Sequence, residues 1–481
     1  MATHPSPHVV IIGGGITGLS AGYYLDHAAR ARGTPIDYTI VEQSSQAGGK
    51  IHSDTIGALV IESGADSFLT QKPWAMALVH ELGLADDCVP IASMKQPTYV
   101  LVRGKPEPMT PGMVLGIPTQ IQPFLRSALL SPWGKLRVLA DLAYLRQQRS
   151  GDESLAAVMT RHFGHEMVDR LIEPLMSGIH NSLAAEQSLL ATFPRFRESE
   201  RNVGSLIRGA MRARAQAQQS AKAPPPPAFV TLRGGMGQLI DALVATQRDH
   251  LRRDCGVTAI SYDPGAPQPY RLQLATGETL AADALIMTTP AFVTAALVAD
   301  FHPNLAADLR AIRYVSTGTI SLAYASQDVG ELPGFGVLIP RSEGRQINAI
   351  TISSRKFAHR APTGTVLVRA FIGGSRFPDA IDQPDATILR SVRQELQDIL
   401  GIRSTPRVAR IWRLRDSSPQ YDVGHEQRID AIDALCPPDL VVAGSAYRGV
   451  GIPDCIKQAQ DAAATIMTTL QLRPLVAHGA S

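Results

Sequence analysis

Near the start of the chain an apolar run, Val9-Val10-Ile11-Ile12, meets Gly13-Gly14-Gly15-Ile16-Thr17-Gly18. The run has the length and the uninterrupted apolar character of a parallel strand buried on both faces. The spacing Gly13-x-Gly15-x-x-Gly18 then turns strand into helix. One glycine makes the tight turn, one leaves bare backbone for a pyrophosphate, and one lets helix and strand pack closely. Ile16, Leu19, Tyr23 and Ala28 fall near helical spacing, Gly33 and Pro35 break the helix, and Tyr38-Thr39-Ile40-Val41 reads as a second strand. Glu42 closes that strand about 24 residues beyond Gly18. From there a carboxylate accepts a hydrogen bond from a ribose hydroxyl, while the helix N-terminus faces the pyrophosphate. A βαβ unit that binds a dinucleotide is therefore expected.

The 481 residues are enough for two to four domains. With 44% hydrophobic and 19% charged residues they can bury a large core. A net charge of +3 leaves no footprint for nucleic acid. Cys88, Cys255, Cys436 and Cys455 lie far apart, as reduced thiols do, and form neither a CxxC pair nor a metal site. Residues 1–8 are polar and carry no secretory signal. The most apolar stretch, residues 285–298, is interrupted by Thr288-Thr289-Pro290, so no transmembrane segment is expected.

A second glycine loop, Gly48-Gly49-Lys50, follows Glu42 closely enough to fold back over the same cofactor, with Lys50 as a charge for the pyrophosphate. Leu136, Leu139, Ala140, Ala143 and Tyr144 form one face of a helix, and another helix is expected over 154–167. In Glu173-Pro174-Leu175-Met176-Ser177-Gly178-Ile179-His180, Pro174 and Gly178 should bend or end any helix. His162 and His165 lack metalloprotease spacing and read as helix-surface residues. Prolines 224–227 read as a stiff connector. Near the other end, Leu440-Val441-Val442-Ala443-Gly444 repeats the buried-strand pattern. It leads through Tyr447-Arg448-Gly449-Val450-Gly451-Ile452-Pro453 into a helix from about Cys455. Two strand–glycine–helix units at opposite ends of the chain fit a long cofactor spanning the gap between them.

Taken together, the N-terminal fingerprint, Glu42, Gly48-Gly49-Lys50, Leu232-Arg233-Gly234-Gly235-Met236 and the stretch from Ala443-Gly444 to Gly451-Ile452-Pro453 resemble the FAD-dependent amine-oxidase and desaturase superfamily. Gly64-Ala65-Asp66-Ser67-Phe68, Glu173 through Ile179, Phe335-Gly336-Val337-Leu338-Ile339-Pro340, Phe371-Ile372-Gly373-Gly374 and Pro419-Gln420-Tyr421 with Gly424-His425 are similar to the oxygen-dependent porphyrinogen oxidases of haem synthesis. The resemblance implies an α/β fold: a Rossmann-like FAD-binding domain, a second mixed-sheet substrate domain and an inserted helical region. The expected segments are 1–90, 224–300 and 406–481 for the FAD domain, 301–405 for the substrate sheet and 91–223 for the insert, which touches the bilayer in membrane-associated members.

By the same resemblance, FAD is held by Gly13, Gly15, Ile16, Thr17, Gly18, Glu42, Gly49, Lys50, Gly64, Ala65, Asp66 and Ser67. Val257 meets its adenine end, Trp412 lies near the flavin, and Gly444, Val450, Gly451 and Ile452 face the isoalloxazine. The implied substrate is a porphyrinogen, with Lys72, Gly178, Ile179, Leu338 and Ile352 around the macrocycle and Lys72 pairing a propionate. Six electrons pass to O2 and give H2O2. Asp66-Ser67 and Lys72 look more like the bacterial members that accept coproporphyrinogen III than like plant or animal enzymes. Another superfamily flavoenzyme, an amine oxidase or carotenoid desaturase, and a non-catalytic FAD-binding regulator are the alternatives. No general base is assigned and no metal is expected. The location expected is cytoplasmic with room for peripheral membrane contact, and a homodimer is allowed but not fixed.

Overall fold

The computed structural model describes residues 6–92, 97–146, 149–220 and 227–472. The chain opens with β1 (His8–Ile12), turns into α1 (Ile16–Arg32) and returns as β2 (Asp37–Val41). Next come α2 (Pro73–Glu81) and a hairpin of β3 (Thr98–Val102) and β4 (Lys105–Pro108). The helical insert then leads to α3 (Glu173–His180). After it come β5 (Leu251–Arg252), β6 (Ala284–Met287), β7 (Tyr314–Ala325), β8 (Gly336–Leu338), β9 (Ala349–Ile352) and β10 (Thr365–Gly373). The last elements are β11 (Val408–Pro419), β12 (Leu440–Val442) and α4 (Ile452–Leu472).

The first sheet has the order β5-β2-β1-β6-β12 and is parallel throughout. In β1, Val9, Val10, Ile11 and Ile12 are all buried. Alternate residues enter the two cores on either side of the sheet, Val9 and Ile11 on one and Val10 and Ile12 on the other. Helices α1 and α4 cover the first side. Residues more than 400 apart in sequence thus pack side by side beneath one sheet.

The second sheet is mixed, in the order β11-β7-β10-β9-β8-β3-β4. It recruits strands beyond the expected 301–405: β3 and β4 come from the segment assigned to the insert, and β11 from the segment assigned to the FAD domain. Pairing of Thr319 with Trp412 and of Gly336 with Thr98 makes this unavoidable, since each contributes a ladder that closes an exposed edge.

The insert differs from expectation in three places. Helix Pro132–Leu139 buries Val138, whereas Leu136, expected on the covered face, is exposed. The expected helix over 154–167 is Leu155–Phe163, stopped by Gly164 at φ 83°. Pro174 and Gly178 do not end the helix that contains them. A π-helical turn, Val168–Ile172, runs into α3, and its wide turn accommodates a proline near the start of the α-helical segment. The terminator is Asn181, in the left-handed region at φ 55°. The proline-rich connector lies outside the described residues except for Pro227.

Candidate flavin and substrate site

The fingerprint glycines divide the work as their positions require. Gly13 takes φ 111° and donates its N–H to Val41 O at 2.9 Å, extending the β1–β2 pairing by one bond as the chain turns into α1. A Cβ on Gly18 would overlap the Gly13 carbonyl, whereas one on Gly15 would meet nothing within 4 Å. That open space lies directly in front of α1, whose N-cap is Gly15 itself and whose first turn has no side-chain cap. An uncapped helix N-terminus facing vacant space suits a pyrophosphate. Glu42 points into the same turn, its carboxylate accepting the N–H groups of Gly14 and Ser44, each at 2.8 Å.

The second glycine loop folds onto the first: Gly48 N–H donates to Gly14 O at 2.8 Å, and a Cβ on Gly49 would lie 3.6 Å from Gly15 Cα. Lys50 Nζ donates to Ser445 Oγ at 3.2 Å, in the loop after β12. Burial lowers its pKa, and nearby Cys455 partly offsets this. Val257 begins the strand Val257–Tyr262. Just before it, Cys255 N–H donates to Glu42 O at 3.0 Å, which puts Val257 close to the ribose carboxylate.

The far end of the cradle is the loop 444–451 between β12 and α4. Gly444 and Gly449 take φ 136° and 120°. A Cβ on Gly444 would sit 3.7 Å from Thr17 Oγ1 in the first turn of α1, and Thr17 lies near enough to Cys455, in the first turn of α4, to lower its thiol pKa. The N-termini of α1 and α4 therefore lie side by side, which adds their positive dipole ends. Burial raises the Cys455 thiol to about 11, so it stays protonated. Trp412 has its ring 5.0 Å from His52, and its indole N–H is buried without a partner. A buried donor left unpaired fits a ligand acceptor at this point.

The loop 64–67 is built by ions that the spacing did not reveal. Arg369 donates to Ser63 O at 3.0 Å and Gly64 O at 2.6 Å. Asp66 pairs with Lys356 at 2.7 Å and accepts from Ser67 at 2.7 Å. Burial alone would raise the Asp66 pKa, but Lys356 and Arg369 hold it far below the usual carboxylate range. The Asp66 and Ser67 side chains are thus engaged with protein groups. The available signal was a lone arginine in the apolar strand Thr365-Val366-Leu367-Val368-Arg369-Ala370-Phe371.

Of the five residues implied for the macrocycle, the structure sets Gly178 against Leu338, a Gly178 Cβ lying 3.9 Å from the Leu338 side chain; Ile179, next to Gly178 in the last turn of α3, is 48% exposed. Ile352 is 0% exposed, locked in the core under the second sheet, so its side chain is not available to a ligand. Lys72, at the N-cap of α2, pairs with Asp454, in the first turn of α4, at 2.5 Å. His180, the last residue of α3, also belongs here: burial and then the Lys72 charge push its pKa down to about 4, leaving a neutral imidazole. One histidine at the end of a helix had no spacing signal to mark it.

His162 is no surface residue. It is fully buried, with Nδ1 2.5 Å from Asp141 and Nε2 2.9 Å from Glu200.

A parallel sheet with a glycine turn, a ribose carboxylate and two converging helix ends defines a dinucleotide-binding flavoprotein. A family model described as flavin containing amine oxidoreductase matches residues 16–467, and the chain belongs to that family. FAD is its cofactor. Coproporphyrinogen III oxidase of Bacillus subtilis is 35% identical over 469 residues, covering 96% of this chain and 98% of the relative. The chloroplastic protoporphyrinogen oxidase of Nicotiana tabacum is 27% identical, covering 95% and 85%. A crystal structure from Exiguobacterium sp. 255-15, assigned as a protoporphyrinogen oxidase, superposes with a TM-score of 0.84 at 30% identity, covering 96% and 99%.

Proposed function

We propose that this chain oxidises coproporphyrinogen III to coproporphyrin III in haem synthesis, with protoporphyrinogen IX as the poorer substrate. The observation that carries the proposal is an apolar patch with a cation beside it at the end of α3. Gly178 lies against Leu338 next to the exposed Ile179, and Lys72, paired with Asp454 at the start of α4, is near enough to His180 to lower its pKa. An amphipathic tetrapyrrole needs apolar surface for its ring and a cation for its propionates. Full-length similarity to coproporphyrinogen III oxidases supports the same substrate.

FAD supplies a two-electron acceptor that O2 restores with release of H2O2, and three such rounds complete the macrocycle. The chain's own residues do the rest. Gly13, Gly15, Ile16, Thr17 and Gly18 receive the pyrophosphate, and Glu42 the ribose. Val257 meets the adenine. Gly49, Lys50 and the 64–67 backbone close over the cofactor, while Trp412, Gly444, Val450, Gly451 and Ile452 border the flavin ring. Lys72 meets a propionate as a point charge. The test is to mix the purified protein in air with each porphyrinogen. Porphyrin fluorescence and peroxide should rise together, faster with coproporphyrinogen III. Bound yellow flavin without either signal would end the proposal.

We place the protein in the cytoplasm, in peripheral contact with membranes. All four cysteines are free. Among the described residues no helix is long and apolar enough to cross a membrane. On the insert, Trp133 is 80% exposed, Leu136 is exposed one turn on, and Lys135 and Arg126 flank them. This mixture suits an anionic bilayer surface. Sedimentation with phosphatidylglycerol vesicles should carry the protein down, and a Trp133→Ser, Leu136→Ser double variant should stay in the supernatant.

A further inference from the structure

The loop 444–451 is rich in glycine and has little conformational preference of its own. Something outside it must hold it in one shape. Tyr421, from the turn after β11, supplies that hold with a single oxygen. Its hydroxyl donates to Ser445 O at 2.9 Å and accepts the Gly449 N–H at 2.7 Å, tying both ends of the loop. His425 stacks on the Tyr421 ring, with centroids 3.9 Å apart and planes at 14°, and its Nε2 lies 2.9 Å from Tyr447 O in the middle of the loop. The other contacts to the loop backbone are longer, with Gln458 Oε1 accepting from Gly444 N–H at 3.3 Å and Arg448 N–H at 3.4 Å. Side chains of the loop are held by Lys50 at Ser445 and by Asp430 and Asp433 at Arg448.

The same turn also reaches the substrate side. Tyr421 O accepts from Ser188 N–H at 2.7 Å, and Gln420 Nε2 donates to His180 O at the end of α3 at 3.4 Å.

We infer that Tyr421, backed by His425, is a positioning residue that fixes the 444–451 loop against the flavin ring and registers it with α3. Burial raises the Tyr421 phenol well above 10 and lowers the His425 imidazole, so the first keeps its proton and the second stays neutral. The inference rests on the assignment of this loop to the flavin.

The experiment compares wild-type and Tyr421→Phe holoenzyme, a change of one oxygen that keeps the stacked ring. The readouts are amide exchange across 445–451, FAD dissociation, the visible flavin spectrum and the flavin reduction potential. Loss of one buried hydrogen-bonding oxygen should speed exchange at Gly449 about tenfold, weaken FAD about tenfold and move the spectrum and potential. Unchanged exchange at Gly449 would overturn the inference. So would faster exchange with an unchanged flavin. In that last case Gly451→Ala shows which premise failed: if it shifts the flavin spectrum, the loop does face the flavin and only the brace is wrong. If neither variant moves the flavin, the loop assignment itself falls. Should Tyr421→Phe not fold, His425→Phe keeps the stack and removes only the contact to Tyr447. Faster exchange at Tyr447 with a shifted flavin spectrum then supports the brace, and no change in either overturns it.

Discussion

Glu42 is held in one orientation by the backbone N–H groups of Gly14 and Ser44, which suits the ribose contact proposed for it. Glu42→Ala removes a charge-assisted acceptor, which is worth about 1.5–3 kcal/mol. FAD should bind about ten- to a hundredfold more weakly, as read by fluorescence titration of the released flavin. Lys72 is a different case, because it already has a partner in Asp454 and its side chain is 43% exposed. Lys72→Ala should raise KM for coproporphyrinogen III about fivefold, the effect of a half-solvated pair, and raise it less for protoporphyrinogen IX with two propionates fewer. Equal KM changes for the two substrates would remove the propionate from the account. Gly18 and Glu42 could be read from spacing alone because each answers to a fixed covalent distance along a βαβ unit. The Lys72–Asp454 pair could not, since it joins the starts of two helices 382 residues apart.

Besides its apolar core, the insert contains a buried cluster of charges. Asp141 receives Ser205 Oγ–H at 2.6 Å and Ile207 N–H at 2.9 Å as well as His162, while Glu200 also meets Arg161 and Arg197. Four helical segments meet at these side chains. Burial opposes the charge on His162, but hydrogen bonds to Asp141 and Glu200 outweigh it and raise its pKa above 6.5. Its contribution to stability is therefore complete below about pH 6.5 and is lost as pH rises through the higher folded-state value. Glu200 behaves oppositely. Burial would raise it, yet His162 and Arg161 hold it at about 2, so its contribution is present above pH 4.5 and lost as pH falls toward 2. His162→Gln breaks a fully buried pair and should cost about 3–5 kcal/mol. Thermal melts at pH 6 and pH 8.5 should show the wild type losing stability between them and the variant losing less. Sequence pattern placed His162 on a helix face but not inside, because Asp141 and Glu200 arrive from other helices.

For the molecule as a whole, the cofactor site proposed above draws on segments near residues 13–18, 42–50, 257, 412 and 444–452. Binding that joins such distant segments stabilises only the folded chain. FAD at a hundred times its dissociation constant should add about 2.7 kcal/mol. The midpoint of thermal unfolding should rise steadily with added FAD, and a midpoint indifferent to FAD would contradict a site built this way. The second sheet also draws strands from across the expected boundaries: β11, from the segment expected in the FAD domain, pairs Trp412 with Thr319 of β7.

What the amino-acid order determined alone is whatever depends on neighbours within one structural unit: the β1–α1 turn, Glu42 at the end of the second strand, the second strand–glycine–helix unit, and the family motifs. The tertiary structure alone decided which charges neutralise one another and which apolar residues are buried. It turned Lys50 toward Ser445, engaged Asp66 with Lys356, sealed Ile352 in the core and set Tyr421 against both ends of the 444–451 loop. The physical reason is range. Periodicity and glycine spacing record steric demands over a few residues. Ion pairs, buried hydrogen bonds and cavity walls join atoms hundreds of residues apart and come into being only when the chain has closed on itself.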